Sequence, residues 1–256
     1  MTLETLVTIL AGIVGLLVGS FLNVCIVRLP ANLSVVRPRS RCPRCERPIA
    51  WYDNIPVLSW LVLRGKCRGC GLPISPMYPA VELLTACIWA LMAWCYPLDL
   101  EALRGAVFFT LLLGIAVTDA REYIIPHEFS IGGMVIGLLF ALGGGIAVLL
   151  QAMLGAVTGF GLIWIIGVVG TRIARKEAMG GGDMWMMGMV GAFLGWQSVL
   201  LTIFLGSLLG TIIFLPLNLI GPKKDVPFGV FLAMGAAATW IAGAAMIAWY
   251  RSYIGL

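Results

Sequence analysis

Eight stretches of this chain are apolar over lengths near those needed to cross a bilayer: about 5–26, 79–96, 103–120, 129–144, 147–170, 183–196, 198–218 and 228–249. A helix needs roughly 20 consecutive apolar residues to span the hydrocarbon core. The fourth and sixth stretches are short and rich in glycine. Of the 256 residues, 61% are hydrophobic and 11% charged, whereas a soluble domain is about half apolar and about a quarter charged. The surplus apolar surface needs lipid as its solvent. The pattern predicts an all-α polytopic membrane protein with about eight transmembrane helices. The first apolar run carries Glu4, has no Lys or Arg before Arg28, and is followed by no small-x-small cleavage pattern. It reads as a retained first helix and not as a signal peptide.

The net charge of +5 is unevenly placed. Nine of the 17 Lys and Arg lie between Arg28 and Arg68, three more at Arg172, Arg175 and Lys176, and two at Lys223 and Lys224. The positive-inside rule puts such segments in the cytoplasm. Eight helices then alternate without conflict: the N-terminus is outside, while residues 28–78 and the loops near 121–128, 171–182 and 219–227 are inside. Topology accounts for the basic loops, and nucleic acid is not expected as a partner.

The longest polar stretch, between the first two spans, holds Cys42-x-x-Cys45 and Cys67-x-x-Cys70. Twenty-one residues separate the two pairs, about one more than the usual four-cysteine zinc spacing. Four thiolates complete a closed tetrahedral shell of the structural kind. A loop this small buries little core, so the metal would supply its folding energy. Two disulfides are the other reading, but a reducing cytosol disfavours them. Cys25, Cys87 and Cys95 lie in or at the ends of spans with no ligand spacing.

Few carboxylates fall in or at the ends of spans. Asp119 ends the third, in VTDAREYIIP; Asp183 opens the sixth, in GGGDMW; Glu82 is just inside the second. Ionisable groups at membrane depth are costly and are functional candidates for that reason. Both aspartates fall at the cytoplasmic ends of their spans. If those helices pack together, the two carboxylates can share a proton, one acting as base on a water and the other donating to a carbonyl. That is aspartic-protease chemistry. His127 is the single histidine, and neither an H-E-x-x-H nor a P-loop is present, so other hydrolase designs fit poorly.

In order, GSFLNVCIVRLP, the paired C-x-x-C loop with DNIPVLSWLVLRGKCRGCG, YPAVELLTA, VTDAREYIIP and GGGD make the chain resemble the type IV prepilin leader peptidases, membrane aspartic proteases of pilus and type II secretion systems. The resemblance implies an enzyme of the bacterial inner membrane that removes the basic leader of prepilins and pseudopilins at the cytoplasmic face. It then methylates the new N-terminal residue with S-adenosylmethionine. It carries the catalytic pair to Asp119 and Asp183, with Gly180 and Gly182 as the fixed glycines of G-x-G-D. It links the loop bearing Cys42, Cys45, Cys67 and Cys70, and also Glu82, to methyl transfer.

The implied organisation is a first helix over 1–27, a cytoplasmic four-cysteine zinc domain over 28–78 and a seven-helix peptidase domain over 79–256. Two positions depart from the family pattern: Trp185 stands where lysine is common, and His127 where Asn or Asp often follows the proline. No Rossmann fingerprint is present for S-adenosylmethionine, which would bind between the loop and the membrane helices. Glu122 and Glu128 are candidates to meet a basic leader. The alternatives are a member that retains only the peptidase activity, or a transporter that uses the two aspartates as a proton relay.

Overall fold

The computed structural model describes residues 2–176, 179–220 and 226–255. Lys223 and Lys224 lie outside the described residues. The helices are α1 (Leu3–Arg28), α2 (Leu58–Val62), α3 (Met77–Cys95), α4 (Leu100–Glu122), α5 (His127–Gly143), α6 (Ile146–Ala174), α7 (Gly181–Leu194), α8 (Trp196–Ile220) and α9 (Phe228–Ile254), with one 3-10 turn at Trp51–Asn54. Apart from the short α2, each coincides with one of the apolar stretches. Six of them, α1, α3, α4, α6, α8 and α9, are long and apolar enough to cross a membrane, and α5 is a shorter apolar helix. The protein is a multi-pass membrane protein.

Two compact units divide the chain, residues 1–114 and 115–256, with the boundary inside α4. In the first unit α1 and α3 pack face to face with their backbones in near contact. A Cβ at Gly15 would lie 2.8 Å from the Ala86 Cα, and one at Gly19 2.8 Å from the Glu82 Cα. The Asn23 amide donates to the Tyr78 carbonyl at 2.9 Å. The pairs 15–86, 19–82 and 23–78 advance by four residues in opposite directions, so the two helices are antiparallel. Only residues without a bulky side chain on that stripe allow such an approach. Trp89 then donates to Thr110 Oγ1 at 3.0 Å, tying α3 to α4.

In the second unit α7 is the central helix and packs against α5, α6, α8 and α9. Met186, Met187, Met189 and Val190 are fully buried. The methionine run after Asp183 is therefore the core of this unit, filled by unbranched side chains that adapt to irregular gaps. Fourteen residues extend about 21 Å, short of the roughly 30 Å hydrocarbon core. Enclosure by four other helices is what a helix this short requires. Gly155 and Gly159 of α6 lie against the backbone of Gly191 and Met187, where any Cβ would overlap a carbonyl. On the far side α8 and α9 are joined by a buried Thr202–Thr239 hydroxyl hydrogen bond of 3.1 Å.

Candidate active site and metal centre

Asp119 occupies the last turn of α4 and Asp183 the first turn of α7. Both are buried, at 6% and 8% exposure, and the two carboxylates act on each other electrostatically. Each is held by backbone N–H groups at the start of a helix. Gly180 is the N-cap of α7, and Asp183 is its third residue. The Asp183 carboxylate accepts from the Gly180 N–H, the reciprocal arm of a capping box. Asp119 is held by a different helix: the Val230 N–H donates to Asp119 Oδ2 at 3.1 Å, and the Gly229 N–H donates to the same group. These are first-turn donors of α9, which no side chain caps. Unpaired first-turn N–H groups and the helix dipole together favour an anion at that point.

Ile125 packs against both Gly182 of α7 and Gly229 of α9. A Cβ on Gly182 would come within 2.7 Å of the Ile125 Cβ, and one on Gly229 within 2.7 Å of its Cδ1 and 2.9 Å of Asp119 Oδ2. Glycine at 182 and 229 is thus what lets α7 and α9 approach the end of α4. Beside the pair, Trp185 stands between Phe160, at 4.8 Å between ring centroids, and the edge of His127, at 6.4 Å. His127 is the exposed first residue of α5.

The first unit carries the cysteines. Among the described residues they are the single group of metal-ligating side chains close enough to share an ion: the four sulfurs of Cys42, Cys45, Cys67 and Cys70 all lie within 4.8 Å of one another, Cys42 and Cys70 at 3.9 Å. A tetrahedral zinc with bonds of about 2.3 Å puts its sulfurs about 3.8 Å apart, so the cluster fits such an ion. Two knuckles of one design build it, C-P-R-C-E-R-P and C-R-G-C-G-L-P. In each, the first cysteine's N–H bonds the residue five places on, Arg47 or Leu72, and its carbonyl accepts from the residue four places on, Glu46 or Gly71. Glu46 and Gly71 both take positive φ, 55° and 71°. Donation from the Cys45 and Arg44 N–H groups lowers the Cys42 thiol to about 6, against the opposing pull of burial. A thiol poised towards thiolate is already in the form a metal takes.

Between this loop and the facing ends of α1 and α3 lies a cavity of about 520 Å³, lined among others by Ser20, Asn23, Tyr52, Asp53, Trp60 and Glu82. Glu82 Oε2 accepts from the Val57 N–H at 2.7 Å. Val57 sits at φ 61°, a costly conformation for a β-branched residue. Glu82 thus clamps the loop to α3 at a strained point. Arg68 pairs with Asp53 at 2.7 Å and lies 5.7 Å from the Tyr52 ring centre. Its guanidinium hydrogen bonds hold the Asp53 carboxyl below the usual range.

Comparison with known proteins decides the family. Residues 13–96 match the bacterial peptidase A24 N-terminal domain and residues 106–215 the type IV leader peptidase family. A prepilin leader peptidase/N-methyltransferase of Aeromonas salmonicida is 35% identical, covering 94% of this chain and 92% of its own length. The chain belongs to the type IV leader peptidase family. A relative with the same name in Myxococcus xanthus is 40% identical over 83% of this chain, which spans 65% of that protein's length. Another in Neisseria gonorrhoeae is 35% identical over 79% of each chain. No solved structure matches.

Against this leader peptidase background, Asp119, Gly180, Gly182 and Asp183 meet in one unit, and the four cysteines and Glu82 fall in the other. Glu122 and Glu128 are exposed, Glu122 lying 3.8 Å from Arg121. Sequence reading passed over Asn23, Val57 and Gly229. The repeat C-x-x-C-x-x-P was visible in the sequence and would have revealed the twin knuckles.

Proposed function

We propose that this chain is a bifunctional prepilin peptidase. It removes the basic leader of prepilins and pseudopilins at the cytoplasmic face of the bacterial inner membrane, then methylates the exposed N-terminus. The observation that carries the reading is the pair of buried aspartates, each held by helix-start N–H groups, in a chain of this family. Two buried carboxylates that repel each other favour a state in which they hold one proton between them. The ionised carboxylate takes a proton from water, whose oxygen attacks the scissile carbonyl carbon. The protonated partner gives its proton to the carbonyl oxygen. Collapse of the resulting diol breaks the C–N bond, and the leaving nitrogen receives the proton first taken from water. Family membership favours this over a transporter's proton relay.

Residues 28–78 serve methyl transfer in this reading, and the later helices serve cleavage. Cys42, Cys45, Cys67 and Cys70 would hold a structural zinc that fixes the loop. The cavity below the loop is of the size that takes a small-molecule ligand. Its floor offers the Glu82 carboxylate, a charge that suits a cationic methyl donor. S-adenosylmethionine supplies an electrophilic methyl group on sulfur. Glu122 and Glu128, exposed in the same unit as the acids, would meet the leader's lysines. Changing both to glutamine should raise the KM for a basic-leader substrate without abolishing cleavage.

Mass spectrometry of a co-expressed prepilin tests the whole reading. Leader loss should vanish in Asp119→Ala and Asp183→Ala, and the wild-type product should carry one added methyl. Cleavage that persists in either aspartate variant would reject the peptidase assignment.

A further inference from the structure

Asn23 is 4% exposed, on the face of α1 that meets α3. Its amide nitrogen is fixed by donation to the Tyr78 carbonyl at 2.9 Å. That contact orients the group, since only the NH₂ can face a carbonyl. The other atom, Oδ1, is buried and has no hydrogen-bond partner. Folded proteins rarely leave such an oxygen unpaired. Asn23 lines the cavity together with Ser20 and Glu82.

Beside the cavity is a second hollow, an apolar slot of about 250 Å³ bordered by Leu17, Ser20, Phe21, Val24, Asn54 and Pro56. Ser20, Val24 and Asn54 line both spaces. Leu17 and Phe21 are 60% and 55% exposed, on a helix long and apolar enough to span the membrane. Exposed apolar side chains on such a helix face lipid. The slot therefore has hydrocarbon along one wall and the polar cavity at its inner end.

We propose that this slot admits the methyl acceptor: the N-terminal residue of a processed substrate helix, entering sideways from the bilayer. The proposal rests on the methyl-transfer reading above and adds where the acceptor sits. The occupant's chemistry follows from the walls. A large apolar side chain, such as a benzyl group, fills the slot. Its α-amine, at the inner end, donates an N–H to Asn23 Oδ1 and lies on the Glu82 side of the cavity.

An oxygen that accepts but cannot protonate leaves the amine's lone pair free. That lone pair forms the new N–CH₃ bond as the C–S bond of the sulfonium donor breaks, its electrons remaining on sulfur. The proton displaced from nitrogen passes to the Glu82 carboxylate. Asn23 is a positioning residue, and the donor occupies the loop side of the same cavity.

The test uses full-length protein in lipid nanodiscs, with leaderless pilin segments beginning with Phe or Ala as acceptors. Val24→Phe fills the slot while leaving Asn23 intact, and Asn23→Ala removes the orphan oxygen. Acceptor KM and kcat are measured, and S-adenosylmethionine affinity is read separately by calorimetry. Each variant should raise the Phe-acceptor KM by about 10-fold or more, Asn23→Ala by leaving the buried amine without its acceptor and Val24→Phe by filling the space its side chain needs. Donor affinity should hold, and Val24→Phe should also lose any preference for Phe over Ala. Acceptor kinetics unchanged in Val24→Phe, or weakened donor binding with an unaltered acceptor KM, would overturn the slot. A wild-type protein that neither binds the donor nor methylates would instead overturn the methyl-transfer reading, and the slot with it.

Discussion

Gly229→Ala perturbs the site through a single methyl group. The new Cβ would lie 2.7 Å from Ile125 Cδ1 and 2.9 Å from Asp119 Oδ2, closer than packed atoms tolerate. Ile125 can rotate its terminal methyl away. Displacing Asp119 Oδ2 lengthens its 3.1 Å bond from the Val230 N–H. A hydrogen bond to a charged group contributes about 1.5–3 kcal/mol, so its loss should slow cleavage by about 10- to 100-fold. Global stability should change less. Overpacking costs about 1–3 kcal/mol, and alanine in place of glycine in a helix returns about 0.5–1 kcal/mol. The assay is the initial rate of leader removal from purified prepilin, with a thermal melt of each variant beside it. Gly132→Ala, where nothing lies within 4 Å of the added carbon, is the control and should behave as wild type. A Gly229→Ala protein that cleaves at the wild-type rate would refute the role given to the start of α9.

Three further outcomes are expected. Glu82→Gln keeps an oxygen for the Val57 N–H but loses the charge; methylation should fall by about 10²-fold or more, the usual worth of a general base, while cleavage continues, as read from the masses of processed pilin. Cys42→Ser, or treatment with a chelator, should release the metal by elemental analysis and open residues 37–76 to protease, because a metal held by the four cysteines would supply the folding energy of so small a loop. Gly159→Leu should lower the melting temperature by the equivalent of about 1–3 kcal/mol or more, since its side chain has backbone in its way, whereas Gly161→Ala on the same helix meets nothing within 4 Å and should be neutral.

Much of the fold was legible because lipid imposes one simple rule on sequence. Each apolar stretch became a helix, with ends displaced by a few residues; α5 starts at His127 and not at 129. The cysteine pairs were legible for a similar reason, since ligand spacing is local. What escaped was long-range. The Val230 donor that holds Asp119 lies 111 positions away, at a helix start with no polar side chain to mark it. Gly229 looks in sequence like any of the chain's 32 glycines. Asn23 reads as a polar residue near a span end, and only its packing against Tyr78 shows that one of its atoms lacks a partner. The strain at Val57 is likewise invisible, because nothing in VLSW asks for positive φ.

The central claim is that Asp119 and Asp183 act as one unit. Single-turnover cleavage of a prepilin by purified Asp119→Asn, Asp183→Asn and the double variant measures it directly. Each single change should slow cleavage by on the order of 10³-fold or more, and the double variant should be no slower than either, as for groups that work together. A single variant that cuts at a rate near wild type, or losses that multiply in the double variant, would contradict the account.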